Sequence, residues 1–360
     1  MGKKKGRRFS GFKRGLSILL VGLILCTLCA CGIDPGSGGT SGETQSFTDD
    51  LGRRVTLPKT LTRVATLGTT GQCMLLSLAP ELLVGINAGI EVDARDYMDF
   101  DYAGLPVMGQ YYGQRNLNLE EVAGSGAEVI IDLGDTKTDA ASDMDKIQAQ
   151  SGIPTVHINS TLETAPMAFR TLGQLLGRAD RGEELAVYCE KTNGEVNRIL
   201  AAIPQDKRAR VLLCSGPDGT TVTVKGRSHS QILDMVATNV ADVTGNSGTV
   251  DVEQIHLWNP DVILFLKDSL YSEVGTLPQW QDLSAIGSGR YYETPVGPYC
   301  WVGYPPTVNR YLGLLWLTAI LYPEQCPYNL EEKVSEYYQV FYGTGLTHSQ
   351  YQKLTRNAIK

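Results

Sequence analysis

Short runs of β-branched and aliphatic residues alternate along the chain with segments of helical character. Such runs lie at 63–67, 129–131 and 155–158 in the first half, and at 211–214 and 261–265 in the second. Runs this short and this apolar are typical of parallel strands buried on both faces, and the helical segments supply the crossovers that parallel strands need. The sequence therefore predicts an α/β fold built on central parallel sheets.

A pattern of a short helix, a turn and a buried strand occurs once in each half of the chain. Residues 118–131 and 251–264 align without gaps, and each contains a short helix-like segment, a turn and a buried strand. Asn118 and Asp251 open the two helical segments, and both are residue types that accept hydrogen bonds at helix N-termini. One copy in each half favours two similar Rossmann-like lobes.

A helical segment connects the two halves at 164–203. Its second part, 180–202, has apolar residues at helical spacing and ends before Pro204. At 1.5 Å per residue it would span about 30 Å. We therefore expect an N-terminal lobe at 47–163 and a C-terminal lobe at 204–360, joined by one long helix with a ligand cleft between them. A single helical connection favours only modest opening and closing.

The first 31 residues are predicted to be a lipoprotein signal peptide. Seven basic residues precede an apolar run at 16–30, which is short for a membrane span and is typical of a secretory signal. The run ends in Leu-Cys-Ala-Cys, similar to the bacterial lipobox, which predicts lipidation of Cys31. Residues 32–46, rich in Gly, Ser and Thr, read as a flexible tether. A plain N-terminal membrane anchor is the alternative.

Removal of the signal would make the chain strongly acidic. Of the 32 basic residues, seven lie before Cys31, which leaves 25 against 39 acidic residues. Such a surface argues against nucleic acid and anionic lipid headgroups as partners. It is compatible with an exported domain that is held at the membrane by a covalent lipid.

The cysteines and histidines form no metal-binding pattern. No C-x-x-C pair or His/Cys cluster occurs after the signal, which argues against a zinc site and a dense disulfide framework and favours buried free thiols, with one disulfide as the alternative. His157 lies on a buried type of strand and is expected in the core, and His348 lies in the C-terminal segment. We predict neither a metal site nor a cofactor. The residues concerned are Cys73, Cys189, Cys214, Cys300, Cys326, His157, His229, His256 and His348.

A series of segments from residue 47 onwards, each unspecific alone, carries a family resemblance through its order and spacing. These segments are 48–58, 63–64, 83–86, 152–156, 258–263, 314–317 and 321–324. Together they resemble the ABC importer binding proteins for ferric siderophores, haem and cobalamin. The resemblance implies two lobes joined by a long helix, and ligand binding without turnover.

The resemblance also implies partners. Proteins of that family deliver a small ligand to a permease and its ATPase, and they dock through one acidic residue on each lobe. Here residues 72–74 stand where the family usually has a glutamate. Glu81 and Asp234 are the nearest substitutes, although each taken singly is more typical of an ordinary surface carboxylate. We expect an extracytoplasmic monomer.

Ligands of open α/β sheets bind beyond the carboxyl ends of the strands, so the loops that follow strands are the candidate site. Loop 109–115 offers two tyrosines and an arginine, loop 225–229 an arginine and a histidine before a helix, and loop 298–306 three aromatic rings. Stacking surfaces with positive charges suit an anionic ligand. The candidate ligand-binding residues are Thr69, Tyr111, Tyr112, Arg115, Arg227, His229, Tyr299 and Trp301, with Thr70, Asp135 and Lys137 as weaker candidates.

These loops suit an anionic metal chelate, and the resemblance implies an iron complex, first a ferric siderophore and then haem or a corrinoid. A free metal ion, with His229 as one ligand, and an oxyanion are the alternatives. A sensory or adhesive lipoprotein with the same fold is another. An exported enzyme is not expected, because the chain has no G-x-S-x-G elbow, no H-E-x-x-H helix and no Gly-rich phosphate loop.

Overall fold

The computed structural model describes residues 43–90, 92–102, 104–243, 248–267 and 269–360. The predicted signal peptide, Cys31 and most of the tether at 32–46 lie outside the described residues. The strands are β1 (Thr44–Thr48), β2 (Arg54–Pro58), β3 (Val64–Thr66), β4 (Val129–Gly134), β5 (Thr155–Asn159), β6 (Arg210–Ser215), β7 (Thr221–Val222), β8 (Thr238–Asn239), β9 (Val262–Phe265) and β10 (Tyr291–Glu293).

Helices precede or follow most of these strands. They are α1 (Thr69–Leu78), α2 (Leu119–Gly124), α3 (Ala140–Ser151), α4 (Ala165–Leu175), α5 (Ala179–Ala201), α6 (Gln231–Val236), α7 (Val252–Trp258), α8 (Pro278–Gln281), α9 (Ser284–Gly287), α10 (Arg310–Leu321), α11 (Leu330–Tyr342) and α12 (His348–Thr355).

The N-terminal lobe is built on three parallel strands. Strands β3, β4 and β5 pair in sequence order, and β1 and β2 form an antiparallel hairpin beside them. Single parallel bridges, Val64 with Leu83 and Ile86 with Val107, extend the sheet. Every residue of β4 from Val129 to Leu133 is buried, because helices cover both faces of the sheet.

The C-terminal lobe repeats this plan with a larger sheet. Strands run in the order β10, β9, β6, β7, and β8 also pairs with β6. All of these pairings are parallel except that of β6 with β7. The predicted α/β fold with two lobes and parallel sheets is confirmed.

The two predicted helix N-caps are present, one in each lobe. The Asn118 side chain accepts the backbone N–H of Glu121 at 3.1 Å, and the Asp251 side chain accepts that of Gln254 at 2.8 Å. Each cap supplies an acceptor to a first-turn amide that has no partner within its helix. The sequence pattern shared by residues 118–131 and 251–264 therefore corresponds to two equivalent helix–strand units.

Residues 164–203 form two packed helices rather than a single element. Helix α4 ends at Leu175, and after a short turn α5 runs for 23 residues, about 34 Å. The two helices approach closely at a pair of glycines, Gly173 and Gly182, where an added Cβ on Gly182 would lie 2.6 Å from the Phe169 carbonyl oxygen. Helix α5 is the long connecting helix that the sequence predicts.

The C-terminal segment that includes α11 also contacts the N-terminal lobe. Helix α11 packs against α1 of the N-terminal lobe, and the Asp99 backbone N–H donates to the Tyr342 carbonyl at 2.9 Å. Helix α11, within the range 204–360 predicted for the C-terminal lobe, therefore also contacts the N-terminal lobe at the junction.

The cysteines in the described part of the chain are free. Cys73, Cys189, Cys214 and Cys300 are buried, and burial raises the pKa of the Cys73 thiol to about 12. The expectation of buried free thiols is confirmed for these four, whereas Cys326 is partly exposed. Among the described residues, no helix combines the length and apolarity needed to cross a membrane.

The glycine contact between α4 and α5 leads to a stability prediction. Gly182→Ala should lower the free energy of unfolding by about 1–3 kcal/mol, because the new methyl group meets backbone atoms of α4. Gly194→Ala, on the same helix with no atom within 4 Å of the added Cβ, should instead stabilise the protein by about 0.5–1 kcal/mol. Urea denaturation measures both, and equal effects would contradict the close helix contact.

Candidate ligand-binding cleft

A cavity of about 230 Å³ lies between the lobes, where β3, β4 and β5 end. The first lobe contributes residues that directly follow these strands, and the second lobe contributes two loops and the start of α10. The lining residues are Leu67, Gly68, Thr69, Thr70, Gln110, Tyr112, Gly113, Asp132, Leu133, Gly134, Asp135, Lys137, Ser160, Ser228, His229, Pro305, Pro306 and Arg310. We call this cavity the inner cavity.

Hydroxyl groups and a helix N-terminus form one side of the inner cavity. Helix α1 begins at Thr69, and no side chain caps it, since Gly68 is its N-cap. Thr69 donates its hydroxyl to the Gln110 side-chain oxygen at 3.1 Å, and Ser160 lines the same cavity. Amide groups at a helix N-terminus favour negatively charged ligand atoms.

A histidine–aspartate pair lies behind the strand ends. Asp132 and the Nδ1 atom of His157 are 2.8 Å apart, and Nε2 of the same ring is 2.9 Å from the Thr136 hydroxyl. His157 is fully buried with both ring nitrogens bonded, so its predicted place in the core is confirmed. Asp132 therefore has a fixed internal partner.

Asp135 and Lys137 follow β4 at the cavity wall. The Lys137 ammonium lies 4.0 Å from Oδ2 of Asp135. The other carboxylate oxygen, Oδ1, is buried and has no hydrogen-bond partner among the described residues. Because an unpaired buried acceptor costs free energy, this carboxylate is an exception to the general rule of satisfied polar groups.

Arg310 brings a positive charge into the inner cavity from the second lobe. It is the first residue of α10 and is only 4% exposed. Its Nε donates to the Thr307 carbonyl at 3.1 Å and its Nη1 to the Gln231 side-chain oxygen. Burial lowers the pKa of Arg310, while the negative charge of Asp135 acts in the opposite direction. An arginine remains charged in such surroundings.

His229 lies on the same side, held by a carbonyl and an aromatic ring. Its Nδ1 is 2.6 Å from the Gly303 carbonyl oxygen, and its ring stacks on Tyr304 with centroids 4.5 Å apart. A carbonyl only accepts hydrogen bonds, so Nδ1 carries a proton. In the neutral ring Nε2 then has the free lone pair.

Direct contacts connect the lobes beside the inner cavity. The Thr70 hydroxyl donates to the Pro306 carbonyl at 3.1 Å, and the Gln72 amide donates to the Tyr299 hydroxyl at 2.7 Å. Both bonds run from α1 to the loop before α10. They fix the separation of the two walls.

A second cavity of about 410 Å³ adjoins the first on the N-terminal lobe. Tyr112 lines both cavities, and its hydroxyl donates to Asp143 at 3.0 Å. Burial and the nearby carboxylates of Asp132 and Asp143 raise the pKa of Tyr112. We call this second cavity the outer cavity; its lining residues are Tyr111, Tyr112, Arg115, Leu117, Leu119, Asp139 and Asp143.

The loop that carries the outer cavity is tightly folded. Gly109 has φ +81°, and a side chain there would run into the Asn116 carbonyl. Arg115 has φ +53°, a left-handed conformation that costs a non-glycine residue about 1–2 kcal/mol. Tyr111 and Tyr112 meet edge to face with centroids 4.9 Å apart. Such strain is found most often at functional loops.

The structure brings together only part of the residue set predicted from sequence. Thr69, Tyr112 and His229 line the inner cavity, and Tyr111 and Arg115 line the outer one. The weaker candidates Thr70, Asp135 and Lys137 also line the inner cavity.

Three predicted ligand contacts lie elsewhere. Arg227 is exposed and is not a lining residue of either cavity. Trp301 is fully buried and Tyr299 almost so, because the loop turns both rings into the apolar core. The sequence of a proline-bounded aromatic loop does not indicate whether its rings point into the core or into the cleft.

Arg310 is the main cavity residue that the sequence reasoning missed. A signal was available, since it is a single charged residue at the start of the otherwise apolar helix α10. Ser160 and Ser228 carry no comparable signal. Their roles depend on which loops meet across the cleft.

The two predicted docking carboxylates differ in their surroundings. Glu81 is half exposed and pairs with Arg178 at 2.7 Å. Asp234 accepts hydrogen bonds from the Gly226 backbone N–H at 2.8 Å and from the Ser230 hydroxyl at 2.6 Å. Asp234 thus stabilises the turn that precedes α6.

No group of three or more His, Cys, Asp or Glu side chains with the geometry of a metal site occurs in the described part of the chain. The inner cavity instead combines hydroxyl groups, two cations and the carboxylate of Asp135, whose buried Oδ1 has no hydrogen-bond partner among the described residues. This chemistry suits a compact polar ligand recognised by charge and hydrogen bonds.

Comparisons with known proteins point to one family. The model of a family described as periplasmic binding protein matches residues 74–296. The structure of an ABC transporter solute binding protein from Sulfurospirillum deleyianum is similar at 26% identity and a TM-score of 0.81, over 86% of this chain and 99% of that one. No match is found among curated protein sequences.

Two further solved structures share the fold. A periplasmic solute binding protein from Veillonella parvula is 23% identical, with a TM-score of 0.71, over 88% of this chain and 98% of that one. The molybdate periplasmic binding protein MolA from Haemophilus influenzae, with molybdate bound, is 20% identical, with a TM-score of 0.68, over 84% of this chain and 99% of that one.

The carbonyl contacts of two histidines lead to a spectroscopic prediction. His229 should carry its proton on Nδ1 when neutral, because that atom faces the Gly303 carbonyl. His256 should show the opposite tautomer, since its Nε2 is 2.8 Å from the Gln279 carbonyl. Nitrogen-15 NMR of the imidazole rings at alkaline pH distinguishes the two forms, and the same tautomer in both rings would contradict the described site.

Proposed function

Because the chain belongs to the periplasmic binding protein family, we propose that it captures an anionic metal chelate, in the first place an iron complex, and delivers it to an ABC importer. Its family and its structural neighbours are solute-binding proteins, not enzymes. The observation that carries the proposal is the cleft between the lobes, with Lys137 and Arg310 on opposite walls.

The inner cavity supplies the groups that hold an anion. Arg310 offers a planar set of N–H donors, Lys137 a mobile ammonium group, and the uncapped start of α1 its backbone N–H groups. Charge-assisted hydrogen bonds of this kind are roughly twice as strong as neutral ones. The negatively charged part of the ligand would therefore lie between the lobes.

The outer cavity supports a ligand with an organic part. The inner cavity, at about 230 Å³, is smaller than the roughly 300–1,000 Å³ of a typical small-molecule site. The outer cavity adds about 410 Å³ with two tyrosine rings and two leucines. A chelate with its charged centre beside Arg310 and an arm lying on Tyr111 would use both.

An oxyanion is the second candidate. The small volume of the inner cavity, its hydroxyl groups and the uncapped N-terminus of α1 suit a tetrahedral anion without any organic part. MolA was determined with molybdate bound, but at 20% identity its likeness concerns the fold and leaves the ligand of this chain open.

The membrane anchor and the importer contact are further parts of the proposal. Cys31 would carry the lipid, and residues 32–46 would form the tether. The permease and its ATPase are the proposed partners. Glu81 and Asp234 remain the proposed docking residues, and Glu81 is the more accessible of the two.

A ligand panel tests the proposed cargo. Ferric siderophores, haem, cobalamin, nickel–histidine and molybdate are each added to the purified protein, and thermal unfolding and calorimetry are recorded. A ligand present at 100 times its Kd should stabilise the fold by about 2.7 kcal/mol. Absence of binding by every iron complex would overturn the iron proposal, and binding of molybdate alone would establish the oxyanion instead.

The cation on the first-lobe wall gives a matched pair of variants. Lys137→Gln should weaken binding of the panel's best ligand about tenfold, the equivalent of about 1.4 kcal/mol, because one charge facing the ligand is lost. Lys191→Gln removes an exposed lysine of α5 that pairs with Glu336, away from both cavities, and should leave the Kd unchanged. Equal Kd values for the two variants would contradict the assignment of the cleft.

Lipidation is tested at two cysteines of the signal region. The wild-type chain and Cys29→Ser should incorporate a labelled fatty acid and fractionate with membranes, whereas Cys31→Ser should incorporate none, because the serine lacks the sulfur that carries the lipid. Fatty-acid labelling of the Cys31→Ser chain would rule out this residue as the anchor.

A further inference from the structure

We propose that Asp135 determines the charge of the ligand that the inner cavity accepts, by acting as a fixed counter-charge to Lys137 and Arg310. The inference rests on the proposed function, because it concerns the ligand of the same cleft. It adds a selection rule: the inner cavity prefers a group with a single negative charge over one with two.

The Asp135 carboxylate is only loosely paired within the protein. Its Oδ1 is buried without a hydrogen-bond partner among the described residues, and its Oδ2 is 4.0 Å from the Lys137 ammonium. A close charge-assisted contact would measure about 2.7–2.9 Å. Asp132 differs, since it is bonded to His157 at 2.8 Å.

Among the described residues, the hydrogen-bond partners of Arg310 are neutral. Its Nε and Nη1 donate to the Thr307 carbonyl and the Gln231 amide oxygen. Neither acceptor cancels the charge of the guanidinium. Asp135, from the opposite lobe, lines the same cavity, and its negative charge acts on the guanidinium.

The charges of the inner cavity can be counted from these contacts. Lys137 and Arg310 contribute two positive charges, and Asp135 contributes a negative charge that lies 4.0 Å from the Lys137 ammonium. Asp132 lines the same cavity and is hydrogen-bonded to His157. One negative charge on the ligand is met by the two cations, whereas a second negative charge is repelled by the carboxylate of Asp135.

The cost of that second charge is substantial in a partly buried site. Charges a few ångströms apart near a protein surface interact strongly enough to change a binding constant by roughly 10- to 100-fold. The accepted class is then a singly charged anion, or a chelate that directs one net negative charge at the inner cavity. Its remaining bulk lies in the outer cavity.

Two tetrahedral oxyanions of similar size allow the effect of ligand charge on binding to be measured apart from the effect of ligand shape. Perrhenate carries one negative charge and molybdate carries two, and their Kd values are measured by equilibrium dialysis at up to millimolar concentration with the purified full chain. The wild-type protein should bind perrhenate more tightly. In Asp135→Asn the ratio of the two Kd values should move about tenfold towards molybdate, because the repelling carboxylate is gone.

Three variants check the assignment. Asp135→Glu keeps the charge and should keep the wild-type ratio. Lys137→Gln should move the ratio about tenfold in the opposite direction, which provides an independent readout if Asp135→Asn does not fold. Asp145→Asn removes an exposed carboxylate of α3 that pairs with Arg53 outside both cavities, and it should have no effect on the ratio.

An unchanged ratio in Asp135→Asn and Lys137→Gln would overturn the inference, and so would the absence of binding of either anion to any of these proteins. The ligand panel on the wild-type protein distinguishes failure of the proposed function from failure of this inference. Binding of an iron complex there, together with an unchanged oxyanion ratio, would retain the proposed function and reject Asp135 as its charge selector.

Discussion

A buried hydrogen-bond network centred on Asn309 fixes the two lobes relative to each other. The Asn309 side chain accepts from the hydroxyls of Tyr337 and Tyr342 and donates to the Tyr299 carbonyl at 3.0 Å. The Tyr299 hydroxyl in turn accepts from Gln72 on α1. Removing one partner would leave buried polar groups unpaired, so the network holds only when every member is in place.

The ligand site depends on this network through chain connectivity. Arg310 follows Asn309 directly, so the contacts that fix the asparagine also fix the start of α10 and place the guanidinium in the inner cavity. Thr70 lies two residues before Gln72 and bonds to the loop on the other wall. Both walls are therefore organised before a ligand arrives, which reduces the entropy lost on binding.

The sequence predicted more of the fold than of the site. Strand and helix periodicity located the central strands of both sheets, and the caps at Asn118 and Asp251 are local hydrogen bonds that a short segment makes by itself. Site residues depend on contacts between distant segments. Tyr112 and Trp301 read alike as loop aromatics, yet one lines the cleft and the other is fully buried in the core.

By itself the sequence determined the parallel α/β plan, the long connecting helix and the acidic balance, because these follow from residue spacing and composition. Only the tertiary structure decided which loops meet across the cleft, that Arg310 and Asp135 line one cavity, and that the last helices cover the lobe junction. The physical reason is the separation along the sequence over which each interaction acts. Periodicity and capping act within a few residues, whereas the charge and volume of the cavity arise from side chains more than 100 positions apart, such as Lys137 and Arg310.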